Sequence, residues 1–418
     1  MFSNELWQKS GVSTYSIDQS IRFNDDDSAY MTRTPSSAGN RRTWTWSGWL
    51  KRGNITSTMQ LFNAGADDSN NSRFQINSND VLSYVHADSG SVTDQIKTNM
   101  VLRDTSAWYN IQLVADTTNA VETERLRLYV NGQRITDLAT TNYPTLNFDT
   151  DINNTQSHNI GRLFSGTQYL DGYLAEIVFI DGQALDSSSF GETTSDGIWK
   201  PIDVSGLTFG TNGFYIKGEN ASDLGNDSSS NNNDFTTSGL AAHDQVLDSP
   251  TNNFAVLSSI SNAIDETLSN GNLQIAYGSA TTRTGIYAPY GITSGKWYWE
   301  VYIQAATNNP ARVNIGIAST TENDSATRAT SIGYYPGYTA VGWSYYGFNG
   351  KKINNSSEET YGNTFTAADI IGVAYDADNG NLFFYKNGTI QNSGTAAYTG
   401  LSTSETYYPA IGDGGASD

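Results

Sequence analysis

Two short stretches far apart in the chain end in the same way, and they constrain the fold more than any other feature. Residues 126–134 read LRLYVNGQR and residues 381–389 read NLFFYKNGT. In each, a run of strand-forming residues closes on an aromatic residue, a spacer and Asn-Gly. This pattern predicts a tight hairpin, because both central residues of a type I′ turn need positive φ. The chain therefore builds at least two antiparallel sheets on hairpins.

Apolar and polar residues alternate in many segments, which indicates strands throughout. In residues 41–53, Trp44, Trp46 and Leu50 share one predicted face and Trp49 lies on the other. A period of two predicts a half-buried strand of a sandwich, and long stretches of helical periodicity are absent. We therefore expect an all-β protein. The same pattern predicts these further core residues: Tyr109, Ile111, Leu113, Ala115, Leu126, Leu128, Val130, Leu174, Ile177 and Phe179.

Composition and charge exclude several classes of function. The formal net charge of −20 would repel a phosphate backbone and an anionic membrane surface, so we expect no nucleic-acid partner and no membrane insertion. Cysteine is absent, which excludes disulfides, thiolate metal sites and thiol catalysis. The first sixteen residues lack the apolar core of a signal peptide, and no apolar run is long enough to span a bilayer. We expect synthesis in a cytoplasm without export by an N-terminal signal.

The first half of the chain carries an ordered series of motifs. A Trp-rich early strand is followed by WYNIQLVAD at 108–116, by the first Asn-Gly hairpin and by YLDGYLAEIVFIDGQAL at 169–185. This series resembles a laminin-G-like (concanavalin A-like) jelly roll, which we place at residues 16–200. The resemblance implies two antiparallel sheets packed face to face.

A turn-rich segment follows this region. Residues 218–239 are dominated by Asn, Ser, Asp and Gly, which are turn and linker residues. Residues 206–218 read as a small hairpin, so we interpret residues 201–264 as an ordered, turn-rich connector. A flexible linker is the alternative.

A second β pattern occupies residues 265–418. It includes GKWYWEVYI at 295–303, the second Asn-Gly hairpin and YYPAIGD at 407–413. This series resembles a SPRY (B30.2-like) domain, a second antiparallel β-sandwich. Such domains carry a further strand after the YPAIG motif, and the sequence stops soon after it. Either the domain lacks its last strand or a neighbouring segment completes the sheet.

The combination of the two modules resembles virion-surface proteins of marine tailed phages. That resemblance implies a non-enzymatic tail fibre or receptor-binding adhesin on the virion surface, whose partners are a host-surface glycan or protein and other virion proteins. A head-decoration or capsid fibre is one alternative, and a polysaccharide-degrading enzyme is another. Residues 1–15 contain Phe2, Leu6 and Trp7 without a domain to bury them. We expect this anchor segment to dock onto a neighbouring chain or the virion, with a homotrimer as the assembly.

A search for catalytic groups finds no enzyme motif. The sequence has no G-x-S-x-G, no H-E-x-x-H and no phosphate-binding P-loop. Three scattered histidines, His86, His158 and His243, are expected at the surface or in turns. Concanavalin-type glucanases present paired carboxylates on one strand, but Glu176 and Asp181 are five residues apart, and an odd spacing puts them on opposite faces. We expect no catalytic residue.

Clustered aspartates raise the question of a metal. Asp25, Asp26 and Asp27, then Asp67 and Asp68, carry the oxygen ligands that calcium prefers. Such clusters are also ordinary turn chemistry. We predict no metal site and no cofactor, with calcium as the alternative.

The binding hypothesis rests on aromatic residues between glycines. Residues 332–350 read IGYYPGYTAVGWSYYGFNG. Tyrosine combines a flat apolar face with a polar group, which suits contacts to sugars or peptide loops. Alternation places Trp343 and Tyr345 on one face, which we assign to the core, and Tyr346 and Phe348 on the other. Tyr335, Tyr338 and Tyr346 are predicted to be exposed, close together and ligand-binding.

Overall fold

The computed structural model of the protein describes residues 15–259, 266–277, 284–306, 310–319 and 335–413. In these ranges the chain is all-β, with antiparallel sheets and no helix of seven residues or more. None of the described helices could cross a membrane. The predicted anchor segment 1–15 lies outside the described residues, apart from Tyr15.

Two compact units make up the chain. The first contains Met1–Phe254 and Ser269–Asn272, and the second contains Ala255–Leu268 and Leu273–Asp418. Most of the predicted connector therefore belongs to the first unit.

The strands of the first unit form two large sheets and one small ribbon. They are β1 (Ser20–Phe23), β2 (Tyr30–Arg33), β3 (Thr43–Arg52), β4 (Met59–Asp67), β5 (Asn70–Ile76), β6 (Val81–Asp88), β7 (Ser91–Val101), β8 (Tyr109–Asp116), β9 (Leu126–Val130), β10 (Gln133–Arg134), β11 (Leu138–Asn142), β12 (Ser157–Ile160), β13 (Gly172–Asp181), β14 (Gly191–Thr193), β15 (Trp199–Pro201), β16 (Phe214–Ile216), β17 (Thr236–Ser238) and β18 (Gln245–Val246). Short 3₁₀ turns lie at Glu122–Glu124, Ser187–Ser189 and Ala242–Asp244.

Each large sheet has eight strands. Sheet A runs in the order β10-β9-β8-β3-β13-β1-β18, with β16 also paired to β13, and sheet B runs β11-β7-β6-β5-β4-β12-β2-β17. Their inner faces share one core that includes Trp44, Trp46, Phe62, Phe74 and Phe179. Trp46 meets Phe74 edge to face at 5.3 Å between ring centroids, a favoured aromatic geometry. The predicted jelly roll of two packed antiparallel sheets is confirmed.

The Asn-Gly hairpin of this unit has the predicted backbone. Asn131 and Gly132 have φ values of 48° and 75°, and β9 pairs with β10 directly across them. All ten residues predicted for the core of this unit are buried or packed against it: Tyr109, Ile111, Leu113, Ala115, Leu126, Leu128, Val130, Leu174, Ile177 and Phe179.

The prediction that the Trp-rich strand is half-buried is wrong, because the outer face of sheet A is also covered. On β3, Trp44 and Trp46 lie in the main core, whereas Trp49 packs in a second cluster with Trp108 and Tyr173. A second cluster on this outer face is built by side chains of β13 and the following segment: Val178, Ile180, Phe190, Val204, Phe209 and Tyr215.

The connector is ordered because it is part of the jelly roll. Strands β16 and β18 extend sheet A, and β17 extends sheet B. The predicted hairpin at 206–218 is wrong: Phe214–Ile216 pairs with β13, since its apolar side chains complete clusters on both faces of sheet A.

A buried ion pair fixes the end of the connector to β3. Lys51 Nζ lies 2.7 Å from Asp248 Oδ2 and donates to Asn253 Oδ1 at 2.8 Å, and both charged side chains are shielded from solvent. Trp108 Nε1 donates to the other Asp248 oxygen at 2.9 Å. Burial lowers the pKa of Lys51, and Asp248 opposes that shift. A charge desolvated this far is tolerated only when it is paired and hydrogen-bonded.

The second unit has its own strands and core. They are β19 (Glu266–Ser269), β20 (Gln274–Tyr277), β21 (Thr284–Tyr287), β22 (Lys296–Tyr302), β23 (Val313–Ser319), β24 (Gly342–Tyr346), β25 (Lys351–Asn354), β26 (Ser357–Thr360), β27 (Ile370–Asp376), β28 (Asn381–Lys386), β29 (Thr389–Ile390) and β30 (Tyr407–Asp413), with a 3₁₀ turn at Asn392–Gly394.

Ten of these strands form a six-stranded sheet, β21-β30-β23-β24-β25-β26, and a four-stranded sheet, β22-β27-β28-β29, while β19 and β20 pair with each other. Ile315, Tyr345, Val373 and Phe384 are among the core residues between them. The second Asn-Gly hairpin joins β28 to β29. Strand β30, which carries YYPAIGD, is hydrogen-bonded to β21 on one side and β23 on the other, so a preceding segment flanks it.

Candidate functional site

The tyrosines predicted to bind ligand lie together, but two of them are not exposed. Tyr335 and Tyr346 are 6% and 8% exposed and form a small cluster with Ile353, against which the half-buried Tyr338 packs. The ring centroids of Tyr335 and Tyr338 are 5.7 Å apart. The predicted proximity is confirmed, and the predicted exposure is wrong for Tyr335 and Tyr346. Ligand binding by the three residues stays a prediction.

A tight turn explains this burial. The turn from Tyr335 to Tyr338 folds over the six-stranded sheet, and Ser356 Oγ donates to the Tyr338 carbonyl at 2.8 Å. Gly337 has a φ of 97°, and a Cβ there would meet the Ile353 carbonyl oxygen at 2.4 Å. Glycine therefore allows the close approach that lays aromatic rings over the sheet.

Exposed aromatic residues lie instead on the four-stranded sheet. Tyr298 and Tyr302 of β22 are 42% and 59% exposed, and Ile370, paired with Tyr302, is 38% exposed. Tyr385 meets Tyr298 edge to face at 5.9 Å. We call these residues the tyrosine face. The sequence signal was the alternation in GKWYWEVYI, where Tyr298 and Tyr302 oppose the core-facing tryptophans.

The outer face of sheet B differs from the outer face of sheet A because mainly polar side chains occupy it. Register brings four strands together here: Asn63 pairs with Arg73 and with Asn159, and Asn159 pairs with Thr32. A second row pairs Gln60 with Gln75, Gln75 with Ser83 and Ser83 with Lys97. We call these eight residues, together with Tyr30 and Arg162 beside them, the polar face. Among the described residues, no apolar cluster packs on it.

Amide side chains organise the centre of the polar face. Gln60 Nε2 donates to Gln75 Oε1 at 2.8 Å and to Gln168 Oε1 at 2.7 Å. Asn63 Nδ2 donates to the carbonyl of Arg162 at 2.7 Å. These bonds hold the loop that follows β12 against the sheet and fix the neighbouring side chains.

Several polar atoms of this face have no hydrogen-bond partner among the described residues. They include Gln60 Oε1, Ser83 Oγ, Asn159 Oδ1 and the Nε atoms of Arg73 and Arg162. A buried polar atom without a partner is costly, and small buried waters commonly supply the missing hydrogen bonds. Sequence reasoning missed this face because β2, β4 and β12 are far apart in the chain. The signal was the polar half of the alternation, as in Arg73 and Gln75 beside Phe74.

The aspartates considered for calcium take part in turn and loop hydrogen bonds. Asp67 Oδ1 accepts from the backbone N–H groups of Ser69 and Asn70, at 2.8 and 2.9 Å. Asp68 accepts from Ser165 N, Asp25 from Asn54 and Asp27 from Asn24. In the described part of the chain, no group of three or more His, Asp or Glu side chains is arranged to hold a metal ion.

The two carboxylates of β13 serve separate structural networks. Glu176 lies at a β-bulge with a φ of 48° and accepts hydrogen bonds from the hydroxyls of Tyr15 and Tyr215. Asp181 accepts from the Asn40 and Asn212 backbone N–H groups, on the side of the strand that faces the core. The pair therefore lacks the shared face that a glucanase site requires.

The histidine prediction is wrong for two of three residues. His158 is buried in the core side of β12, where its Nε2 accepts from Asn153 N at 2.9 Å, and burial lowers its pKa to about 4. His86 is also buried and lies 3.0 Å from Ser72 Oγ. His243 is exposed, as predicted. Both of these side chains point to the core-facing side of sheet B, where polar residues are also buried.

An open cleft of about 330 Å³ lies at the edge between the two sheets, near β9 and β11. Leu126, Leu128 and Leu138 line it, with the Glu124–Arg134 ion pair beside them. None of the predicted ligand-binding residues contributes to it.

Comparisons with known proteins identify both modules. A family model described as the concanavalin A-like lectin/glucanases superfamily matches residues 24–189, and a SPRY domain model matches residues 296–417. No curated protein matches the chain at a significant level.

Solved structures are similar to parts of the chain at low identity. The SPRY domain of human HERC1 is 22% identical over 34% of this chain and 81% of its own, with a TM-score of 0.28. A native heptameric SAP-like pentraxin from Limulus polyphemus is 17% identical over 41% of this chain and 79% of its own, with a TM-score of 0.31. Domains LG4-5 of the mouse laminin alpha1 chain are 10% identical over 98% of this chain and 86% of their own, with a TM-score of 0.31.

The two family models and the two β-sandwiches together show that the chain contains a laminin-G-like domain of the concanavalin A-like lectin/glucanases superfamily followed by a SPRY domain.

Proposed function

We propose that this protein is a non-enzymatic adhesin on the surface of a tailed-phage virion, a tail fibre or receptor-binding protein that attaches the particle to host-surface glycans. The polar face of sheet B is the observation that carries the proposal. Its half-buried hydroxyl, ammonium and guanidinium groups, held on a rigid sheet by the buried amide network, suit the hydroxyl groups of a saccharide, which both donate and accept hydrogen bonds.

The two folds support a binding role over catalysis. Both modules belong to families of binding domains, and the one carboxylate pair that sequence reasoning considered for hydrolysis lies on opposite faces of β13. The SPRY domain supplies a second surface, the tyrosine face, with which we associate attachment to protein partners of the virion. The homotrimer formed through residues 1–15 belongs to the same proposal.

The test is a binding screen against immobilised bacterial capsular polysaccharides and lipopolysaccharides. The wild-type protein should bind at least one polysaccharide and release no reducing sugar during long incubation. Thr32→Trp places a bulky ring on the half-buried part of the polar face and should abolish binding. Gln95→Trp does the same from β7, in case the first variant folds poorly.

Ser357→Trp is the matched control, because Ser357 is exposed on β26 of the other unit. It should bind as the wild type does. Binding that survives both blocking substitutions would place recognition elsewhere, and release of reducing sugar would favour the enzyme alternative.

A further inference from the structure

The Lys and Arg side chains that lack an ion pair and a hydrogen bond indicate which saccharides suit the polar face. Nearly all described Lys and Arg side chains have an ion pair or a hydrogen bond, as Arg42 has with Asp149 at 2.8 Å. Three have neither with any described residue: Arg73, Lys97 and Arg162. All three lie on the polar face. A protein with a net charge of −20 has abundant carboxylates to pair with, so their concentration on one face requires an explanation.

Arg73 lies at the centre of this face. Its backbone is in β5 between Asn63 of β4 and Val85 of β6, and its side chain is half-buried. Burial lowers its pKa, and the carboxylate that opposes this shift, Asp68, is not within ion-pair distance in the described structure. A partly desolvated guanidinium without a paired anion is unfavourable, and its planar fork matches a carboxylate in two parallel hydrogen bonds.

Arg162 and Lys97 extend the positive charge to either side. The Arg162 guanidinium lies 3.4 Å from the ring centroid of Tyr30, a cation–π contact that fixes its plane and leaves its N–H edge available to acceptors. Lys97 is half-buried on β7, opposite Ser83. From β7 to β5 is two strand spacings, about 10 Å, and from β5 to Tyr30 on β2 is three, about 14 Å.

We infer that the polar face binds a carboxylated polysaccharide, whose regularly spaced carboxylates meet Arg73, Lys97 and Arg162 while the half-buried side chains of Tyr30 and Thr32 contact sugar hydroxyls. The inference rests on the proposed function and names its ligand class. Single charges separated by two or three strand spacings match a polymer that carries carboxylates at regular intervals along its length better than a ligand with its charges clustered at one point. Local charge complementarity also offsets the repulsion from the rest of the acidic surface.

The experiment compares polyuronates with their neutral counterparts by isothermal titration calorimetry. The probes are polygalacturonate, alginate and hyaluronan fragments, each used also in carboxyl-reduced form. We expect at least one carboxylated probe to bind at least about tenfold tighter than its reduced form, since charge-assisted hydrogen bonds are about twice as strong as neutral ones. Arg73→Gln should weaken that binding at least about tenfold and Arg162→Gln by a smaller factor. In both variants the unfolding midpoint should stay unchanged.

Arg42→Gln is the matched control, because Arg42 is an exposed arginine already paired with Asp149. It should leave affinity within about twofold of the wild type. No preference for the carboxylated form of any probe overturns the inference, as does unchanged affinity in Arg73→Gln. If the charged and reduced probes bind equally well and Thr32→Trp abolishes that binding, the preference for carboxylates is wrong and the proposed glycan-binding function is still supported. Absence of binding to every saccharide in this set and in the polysaccharide screen would contradict both.

Discussion

The two eight-stranded sheets of the first unit share one core and differ on their outer faces. Sheet A is covered on the outside by two apolar clusters and by the buried Lys51–Asp248 pair. The outward side chains of sheet B are amide, hydroxyl and cationic, and three of the cations on this face have no ion pair or side-chain hydrogen bond in the described structure.

This difference separates what stabilises the domain from what is available to a ligand. A covered face contributes buried apolar area and fixed ion pairs, and substitutions there should change stability. The half-buried side chains of the polar face, such as Thr32, Arg73 and Lys97, contribute less to stability, and substitutions there should change binding. The predictions below test this division, from the largest expected effect to the smallest.

Removing one partner of the buried ion pair on sheet A should have the largest effect. Asp248→Ala leaves Lys51 buried without its anion and removes the acceptor of Trp108, so we expect a loss of about 3–5 kcal/mol in the free energy of unfolding. Urea titration followed by tryptophan fluorescence measures it. Asp149→Ala, which breaks the exposed pair with Arg42, should cost under about 1 kcal/mol. Equal losses of unfolding free energy in the two variants would show that Lys51 is accessible to water in solution.

The same division should hold in the SPRY domain, between its covered and uncovered aromatic residues. Tyr346→Ala removes a buried ring and should destabilise this domain by about 3–4 kcal/mol. Tyr302→Ala, on the tyrosine face, should stay within about 0.5 kcal/mol of the wild type. Thermal unfolding of both variants checks this. A large loss in Tyr302→Ala would mean that the tyrosine face is covered in solution.

At the start of β13 in sheet A, Asp171 should make stability fall as pH rises. Burial and then the charge of Asp25 raise the pKa of Asp171 to about 7, while nearby backbone N–H groups partly oppose this shift. The pKa of an unfolded Asp is about 3.9, so the stabilisation is complete below that pH and is lost as pH rises towards 7. Asp171→Asn should stabilise the protein by about 3 kcal/mol at pH 8 and remove this slope. A variant no more stable than the wild type at pH 8 would show that the carboxylate is well solvated.

In sheet B, His158 should give a pH dependence of the opposite sign. Its pKa is lowered to about 4 by burial, so the neutral form is favoured in the folded protein. Its contribution is complete above the unfolded pKa of about 6.5 and is lost as pH falls through 4. We expect stability to fall by about 2 kcal/mol from pH 7 to pH 5, and by less in His158→Gln. NMR titration of the ring protons checks the pKa directly, and a value near 6.5 would contradict the burial.

Local pattern sufficed for much of the fold. Alternation located the core residues of β8, β9 and β13, and Asn-Gly located both hairpins, because these features depend on neighbours in sequence. The cover on sheet A was not predictable in this way. Whether Trp49 and Tyr215 are buried depends on contacts between β3, β13 and a segment up to two hundred residues away.

The candidate site shows the same limit more strongly. Tyr335 and Tyr346 were expected at the surface because their segment is rich in glycine, yet Gly337 allows the turn that covers them. The polar face comes from pairing among Thr32, Asn63, Arg73 and Asn159. Single residues such as Arg73 carry no such signal until the strand order is known.

A crystal structure of the protein with the saccharide selected in the polysaccharide screen tests the central claim most directly. We predict that the sugar lies on the outer face of sheet B, with a carboxylate within hydrogen-bond distance of Arg73 and sugar hydroxyls against the half-buried Tyr30 and Thr32. A saccharide bound instead on the tyrosine face, or in the cleft between β9 and β11, would contradict the account.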